Sequence, residues 1–363
     1  MLNKALNLMD SHDDNNVIPN ILNNTVGKIK EASFKLFSAP EIDLSFYDRV
    51  IVCMSGGKDS IASLLHLIEM GLDLSKVELW HNLVDGNEGN VFMDWKFMDS
   101  YNKKLAEAFN LPIYNSWLKH GFEGEMLKKN SISHEYIVET PDGNIIIPRT
   151  RAKAGTRLRF PQQAADLGVR WCSSALKIEV GRRALTNQAR FNGKKILFVT
   201  GERREESSNR AKYFQMETHF CDNRNGKKGR YIDSYRPVLD FTEKQVWEIL
   251  ERFNIAPPVP YRLGWSRSSC MTCIYNSPKI WATIKHYFPE RLHSIVNYEK
   301  QFNTTISRTR LNVVDISDGI EPIEILDLEA LAQSMELEYK LPIFTFNWKL
   351  PLGAFSAEGC GSI

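Results

Sequence analysis

The segment from Arg49 to Gly71, RVIVCMSGGKDSIASLLHLIEMG, runs an apolar β-branched stretch through a glycine-bearing loop into residues whose leucines and isoleucines recur at helical spacing. A run apolar on both faces suits a strand buried within a parallel sheet, and Gly71 suits the end of the helix that follows. The unit then repeats. VELWHNLV (77–84) reads as a second strand, MDWKFMDSYNKKLAEAFN (93–110) as a second helix and LPIYNSW (111–117) as a third strand. Strands alternating with helices predict an α/β fold, a mostly parallel sheet with helices on both faces.

Downstream, YIVETPDGNIIIP (136–148) predicts a hairpin turning at Asp142-Gly143, and RWCSSALKIEVGRRAL (170–185) a basic helix. KKILFVTGERREES (194–207) reads as another core strand opening into a polar loop. In open parallel sheets ligands gather at the carboxyl ends of the strands, so SGGKDS, the loop after Val84 and GERREES are expected to face one crevice. RPVLDFTEKQVWEILERFN (236–254) predicts a helix capped by Thr242 and ended by Pro257-Pro258, followed by more helix from Ile280 to Gln301 and a helical, then aromatic, C-terminal segment. The expected organisation is an N-terminal extension (1–45) with a helical pattern near Ile29–Phe37, an α/β domain (46–240), a helical segment with a CxxC pair (241–310) and a C-terminal tail (311–363).

Lys and Arg number 46 and Asp and Glu 44, so the net charge of +2 makes no global case for a polyanionic partner. Cations crowd locally at Arg149–Arg159, Arg182–Lys195, Arg203–Lys212 and Arg224–Arg230. Such runs are either solvated faces or, this close to candidate anion-binding loops, a surface for an anionic substrate. No run approaches the roughly 18 apolar residues of a membrane span, and the start lacks the marks of a signal peptide; no membrane partner is expected and the predicted location is cytoplasmic.

A strand that ends in Ser55-Gly56-Gly57 can bend sharply and present bare N–H groups to phosphate oxygens, with the positive end of the next helix behind them. That dipole contributes only about 0.3–2 kcal/mol. Holding a polyphosphate therefore calls for full charges, Lys58 and distant arginines. The Walker pattern, GxxxxGK followed by Ser or Thr, is absent, which disfavours an ordinary γ-phosphate-transferring NTPase. The plainer alternative is a glycine turn before a helix.

RVIVCMSGGKDSIASLL resembles the PP-loop of the adenine nucleotide α-hydrolase superfamily, specifically its phosphoadenosine phosphosulfate (PAPS) reductase-like branch. RWCSSALKIEV, GERREESSNRA, RPVLDFTEKQVWEIL and GWSRSSCMTCIY match further elements of that branch in order, spanning Arg49 to Asn276. The resemblance implies a Rossmann-like (HUP-type) sheet and chemistry at the α-phosphate of ATP or a sulfonucleotide. Carried over by position, Ser55, Gly56, Gly57, Lys58, Asp59 and Ser60 hold the phosphates. Gly201, Arg203 and Arg210 frame the same anion from across the crevice. Lys58, Asp59, Arg203 and Lys177 are the candidate catalytic residues. Asp59 either orients Lys58, assists Mg²⁺, or only favours the helix N-terminus.

Cys270 and Cys273 form CxxC, and Cys172 lies upstream beside Trp171; Cys53, Cys221 and Cys360 complete the set. Close thiols in a long chain without secretion signals read as metal ligands or a dithiol rather than a disulfide framework. In related proteins of the superfamily the matching cysteines hold a [4Fe–4S] cluster, which makes Cys172, Cys270 and Cys273 the candidate metal ligands, iron–sulfur ranking above zinc. A fourth ligand stays open between Cys221, His219 and none. The chain departs from cluster-binding sulfonucleotide reductases in having Cys172-Ser173 where they pair two cysteines. Cys360, in EGCGSI, is a weak match to the terminal nucleophile of the true reductases and reads as a tail thiol. His81, Asp85, His120 and His134 receive no role, and Trp247, Tyr261, Trp265 and Trp281 read as core.

The resemblance implies an ATP pyrophosphatase that adenylates an acceptor, with sulfur transfer to nucleic acid and a sulfur-donor protein among its partners. The alternatives are reduction of adenylyl sulfate or its 3′-phospho form by a cysteine nucleophile, and a non-catalytic nucleotide- or nucleic-acid-binding partner.

Overall fold

The structure is a computed structural model that describes residues 33–39, 41–89 and 91–356, all within one compact unit that begins at Ser33. Its sheet is built from β1 (Lys35–Leu36), β2 (Arg49–Cys53), β3 (Val77–Asn82), β4 (Ile113–Leu118), β5 (Tyr136–Thr140), β6 (Gly143–Ile147), β7 (Lys195–Val199), β8 (Met216–Thr218) and β9 (Tyr231–Tyr235). The spatial order is β1-β8-β9-β7-β2-β3-β4-β5-β6. β9, β7, β2, β3 and β4 run parallel, and the strands outside them are antiparallel to their neighbours. The chain enters the parallel core at its centre, steps outward from β2 through β3 to β4, then returns to the far side of β2 at β7. This is a doubly wound, Rossmann-like sheet with its switch point between β2 and β7.

Burial explains the placement of β2: Val50, Ile51 and Val52 are wholly buried, as a strand covered on both faces must be. The crossovers are α1 (Lys58–Glu69), from β2 to β3, and α2 (Met98–Ala108), from β3 to β4; α3 (Gly121–Met126) follows β4. The return to β7 runs through α4 (Trp171–Ser173), a π turn (Ser174–Ile178) and α5 (Glu179–Asn187). Right-handed crossovers in opposite directions along the sheet put α1 and α2 on one face and α5 on the other. Beyond the sheet lie α6 (Glu243–Arg252), α7 (Val259–Arg262), α8 (Pro278–Tyr287), α9 (Pro289–Phe302), α10 (Val313–Ile316) and α11 (Leu328–Met335), the helical C-terminal segment. No helix among the described residues is long and apolar enough to cross a membrane.

The hairpin forms, but its turn falls at Pro141-Asp142 rather than Asp142-Gly143, because Gly143 already pairs with Thr140; Thr242 caps α6 through a capping box with Gln245. Elsewhere the boundaries move. Residues 33–37 hold a short edge strand rather than helix, because Lys35 and Leu36 pair with β8; residues 29–32 lie outside the described residues. α2 starts at Met98 rather than Met93, since the amides of Met93 and Asp94 are taken by the Asp85 carboxylate. α6 ends before Asn254, whose φ of +54° closes it ahead of Pro257. The helix expected from Ile280 to Gln301 breaks at Phe288, which precedes Pro289 and is turned out of the helical region. β9 was not legible, because Asp233 within it is buried against Arg224 and Tyr47 and spoils the apolar pattern.

Candidate functional site

The loops after β2 and β7 lie side by side. The first turns at Gly56 (φ +72°) and enters α1 with Gly57 as N-cap, which has no side chain to offer the helix's first amides. A β-carbon on Gly56 would collide with Met98 Sδ, and one on Gly57 would stand 2.6 Å from Ser268 Oγ. Ser60 ties the loop back, its hydroxyl donating to Gly57 O (2.8 Å) and meeting Ser55 Oγ at 3.2 Å, while Ser55 stays exposed. The Lys58 N–H donates to the Tyr261 hydroxyl at 3.1 Å. The amides of Gly56 and Gly57 have no partner among the described residues. Both glycines are buried, and unpartnered amides at the start of a helix are groups that attract an anion.

Gly201 lets the second loop lie against the start of α1, for a β-carbon there would sit 2.6 Å from Asp59 O and 2.8 Å from Ser60 N. Arg203 Nε donates to Asp59 Oδ1 at 2.5 Å across that contact. From it a ring of charges closes. Arg203 Nη1 donates to Glu205 Oε2 (2.5 Å), which also accepts the Glu243 N–H (2.8 Å). Glu243 Oε1 lies 3.7 Å from Lys58 Nζ, and Lys58 Nζ 3.4 Å from Asp59 Oδ2. Lys58 and Arg203 are only 4% and 3% exposed, and the Lys58 ammonium also faces the Tyr261 and Trp247 rings at 5.3 and 5.9 Å. Burial alone would lower Lys58, but Asp59, Tyr261 and Glu243 hold its pKa above the ordinary range. Burial likewise works against ionised Asp59, and Lys58 and Arg203 outweigh it, holding the carboxyl below the ordinary range.

Both Asp59 oxygens are therefore engaged by cations. In this arrangement the carboxylate holds Lys58 and Arg203. Arg210 stands further out, paired with Glu206, which also takes the Arg203 N–H at 2.8 Å. Arg204, beside Arg203 in sequence, braces the fold by binding Asp240 and the carbonyls of Phe37, Ala211 and Tyr213.

A second cluster lies along the loop after β3. Asp85 accepts N–H bonds from Met93 (2.9 Å) and Asp94 (2.8 Å), and burial pushes its pKa up to about 7. Thr272, inside the CxxC pair, donates its N–H to Met93 O at 3.2 Å, which joins the cysteine loop to this one. Lys177, on the π turn, faces Cys270, Cys172, Asp94 and Cys273 rather than any group of the phosphate loop; burial would lower its pKa, and those neighbours raise it. Burial raises the thiols of Cys172 and Cys270. Among the described residues no three His, Cys, Asp or Glu side chains are spaced to hold a metal ion. The Lys177 ammonium is the charged neighbour of Cys172, Cys270 and Cys273, and the chemistry proposed for the phosphate loop uses none of these thiols. His219 and Cys221 pack apart as a local pair, Cys221 N–H donating to His219 Nδ1 at 3.1 Å; burial lowers His219 to about 4 and raises Cys221 to about 11. Cys360 lies outside the described residues.

Sequence reasoning singled out Lys58, Asp59, Gly201 and Arg203, which the fold brings together, but not their neighbours. Glu205 joins the ring from the Arg203 loop itself, and Glu243, Trp247 and Tyr261 from helices further along the chain. Glu205 carried a signal in its place within GERREES, and Glu243 in the first turn of a capped helix.

No family model matches the chain. It is 25% identical over 267 residues, 69% of its length and 74% of its counterpart's, to a protein of Escherichia phage 186 described as an "uncharacterized 37.8 kDa protein in gpa 5'region". It is 29% identical over 102 residues, 28% of its length, to an adenosine 5′-phosphosulfate reductase of Burkholderia cepacia, of which the match spans 35%. Two solved structures of Candida glabrata FMN adenylyltransferase overlap with it. The complex with FMN and an ATP analogue does so at TM-score 0.31 and 13% identity, over 60% of this chain and 52% of that one. The complex with FAD and inorganic pyrophosphate does so at TM-score 0.35 and 14% identity, over 85% and 81%. At such scores the likeness is too slight to argue from.

Proposed function

We propose that this chain is a nucleotide-using α/β enzyme whose Ser55–Ser60 loop holds the phosphate tail of ATP, so that an acceptor oxygen attacks the α-phosphorus and pyrophosphate leaves. The acceptor is thereby adenylated. One observation carries the reading: at the switch point of a doubly wound sheet, Arg203 from the second loop is bonded to Asp59 beside the unpartnered amides of Gly56 and Gly57. Lys58 and Arg203 supply the charge that a helix dipole lacks, the amides fix the phosphate's position, and Asp59 keeps both cations oriented. The sequence resemblance to the PAPS reductase-like branch supports the same reaction centre.

The basic segment supports a nucleic-acid acceptor. From Gly143 to Ala165 the chain has Arg149, Arg151, Lys153, Arg157 and Arg159 and no acid, and Arg151, Lys153 and Arg159 are exposed. The test is calorimetric titration with ATP together with a pyrophosphate-release assay. Wild type is expected to bind ATP and Lys58→Ala to lose at least tenfold in affinity; equal binding by both would end the proposal.

A second reading, reduction of a sulfonucleotide by a cysteine nucleophile, draws support from the stretch similar to adenosine 5′-phosphosulfate reductase. Sulfite formation that disappears in Cys360→Ser would favour it over adenylation.

A further inference from the structure

Near the edge of the sheet formed by β5 and β6, residues 126–131 and 155–158 run side by side in opposite directions, although the hairpin separates them in sequence. The Leu158 N–H donates to Met126 O (2.9 Å) and the Arg157 N–H to Lys128 O (2.8 Å). Ser131 and Gly155 exchange both of their backbone bonds, at 3.2 and 2.9 Å. Between these steps the Asn130 N–H donates to Thr156 Oγ1, and the Thr156 hydroxyl to Asn130 Oδ1, each at 3.0 Å. Two basic stretches, Lys128-Lys129 and Arg149 to Arg159, are thereby stitched into one surface.

A cavity of about 360 Å³ lies in that surface, and Lys128, Lys129, His120 and His134 line it together with the apolar Leu127 and Ile132. Ile132 and His134 also line a second cavity, of about 380 Å³, whose wall includes Arg149. The two therefore adjoin, and each is of a size that seats a small ligand. The loop from Arg149 to Gly155 is fixed to them at both ends, since Arg149 lines the second cavity and Gly155 is bonded to Ser131, which lines the first. Arg151 and Lys153 lie between those anchors.

The carboxylates at this surface are already engaged. Glu125 is held by Lys128 (3.0 Å) and Arg157 (2.7 Å), and Glu135, on the wall of the second cavity, by Lys119 (2.7 Å). Lys129, Arg151 and Lys153 are exposed and make no ion pair among the described residues. The Arg149 guanidinium bonds to a neutral group, the Tyr136 hydroxyl at 2.6 Å, and lies over the Tyr136 ring. Four positive charges thus lack a carboxylate beside cavities with apolar walls. That combination fits a flexible strand whose phosphates meet cations while its bases turn into apolar recesses. We infer that the joined cavities seat a single-stranded nucleic acid, with Lys129, Arg149, Arg151 and Lys153 on its phosphates. The inference rests on the nucleic-acid acceptor named above and not on the ATP seat, so it can fail while ATP binding stands.

The test is fluorescence anisotropy of the full chain with labelled DNA and RNA single strands of about 12 nucleotides. Wild type is compared with a groove variant, Lys129→Ala/Arg151→Ala/Lys153→Ala, and with a control of equal charge change elsewhere, Lys227→Ala/Lys228→Ala/Arg308→Ala. All six side chains are exposed, so both variants should melt like wild type. Wild type should bind at least one of the strands, and the control should bind it equally well. The groove variant should bind it at least about tenfold more weakly, with the slope of log affinity against log salt reduced by about 2, the loss of three phosphate contacts. Equal binding by wild type and the groove variant overturns the groove and leaves the nucleic-acid reading to another surface. No binding of either strand by wild type overturns that reading and this inference together. A duplex bound more tightly than the single strands, or a strand displaced as readily by polyglutamate as by unlabelled strand, overturns the single-stranded occupant.

Discussion

Lys58 and Arg203 bear the charges the proposed triphosphate would need, and three carboxylates, Asp59, Glu205 and Glu243, are paired with them. An incoming anion must displace one. Glu243 makes the longest of these ion pairs, 3.7 Å from Lys58, whereas Asp59 is bound from both sides. Glu243→Gln is therefore expected to tighten ATP binding several-fold in calorimetry, while Asp59→Asn strands Arg203 and Lys58 with fewer partners and loses about 3–5 kcal/mol of stability in urea. Weaker ATP binding in Glu243→Gln would sink the competition argument. Gly201 poses a different problem, a backbone approach that leaves no volume: Gly201→Ala puts a methyl 2.6 Å from Asp59 O. Its expected loss is about 1–3 kcal/mol, measured by the same denaturation.

At the scale of elements, the loop after β3 makes stability depend on pH through Asp85. Its folded pKa, about 7, lies above the roughly 3.9 of an unfolded aspartate. Between those values the folded protein binds more protons than the unfolded chain, so stability falls as pH rises from about 4 to about 7 and levels off above. Asp94 is raised in the same direction and adds to the slope. Asp85→Asn should flatten the fall in urea midpoint between pH 5 and pH 8; a slope equal to wild type would show that Asp85 is ionised throughout. Elements such as β2, α1 and the Thr242 cap were legible because each is set by a local pattern: an apolar run, a 3.6-residue period, a hydroxyl before a helix. The same patterns exposed SGGKDS and GERREES. What stayed hidden depended on distant partners. β1 exists because β8 is there to pair with it, α2 is shortened by Asp85, and Asp94 looked like one more acid in a helix-like stretch until the loop was seen to fold around it. The three cysteines were legible as a group, and so was Lys177, which shares the RWCSSALKIEV segment with Cys172; what the sequence could not show is that this segment meets Cys270 and Cys273.

Across the whole molecule, the described C-terminal segment straps the region behind the phosphate loop. Ile343 O accepts the Ala256 N–H at 2.8 Å, Thr345 N–H donates to Asn254 O at 2.7 Å, and Trp348 Nε1 to Ile255 O at 2.9 Å. The strap then reaches the site: Gly353 N–H donates to Tyr261 O at 2.7 Å and Phe355 N–H to Glu243 Oε1 at 3.3 Å. Tyr261 and Glu243 both contact Lys58 from outside its own loop. Ending the chain at Leu350 removes both braces while leaving the bonds from residues 343–348, so the fold should persist as Lys58 loses its support. ATP affinity should fall several-fold with little change in melting temperature. Ending the chain at Ser356 spares both braces and removes Cys360, and should leave ATP binding at the wild-type level. If the chain ending at Leu350 also binds ATP like the full-length protein, the strap holds α7 in place without reaching the chemistry, and the orientation of Lys58 is set by Asp59 alone.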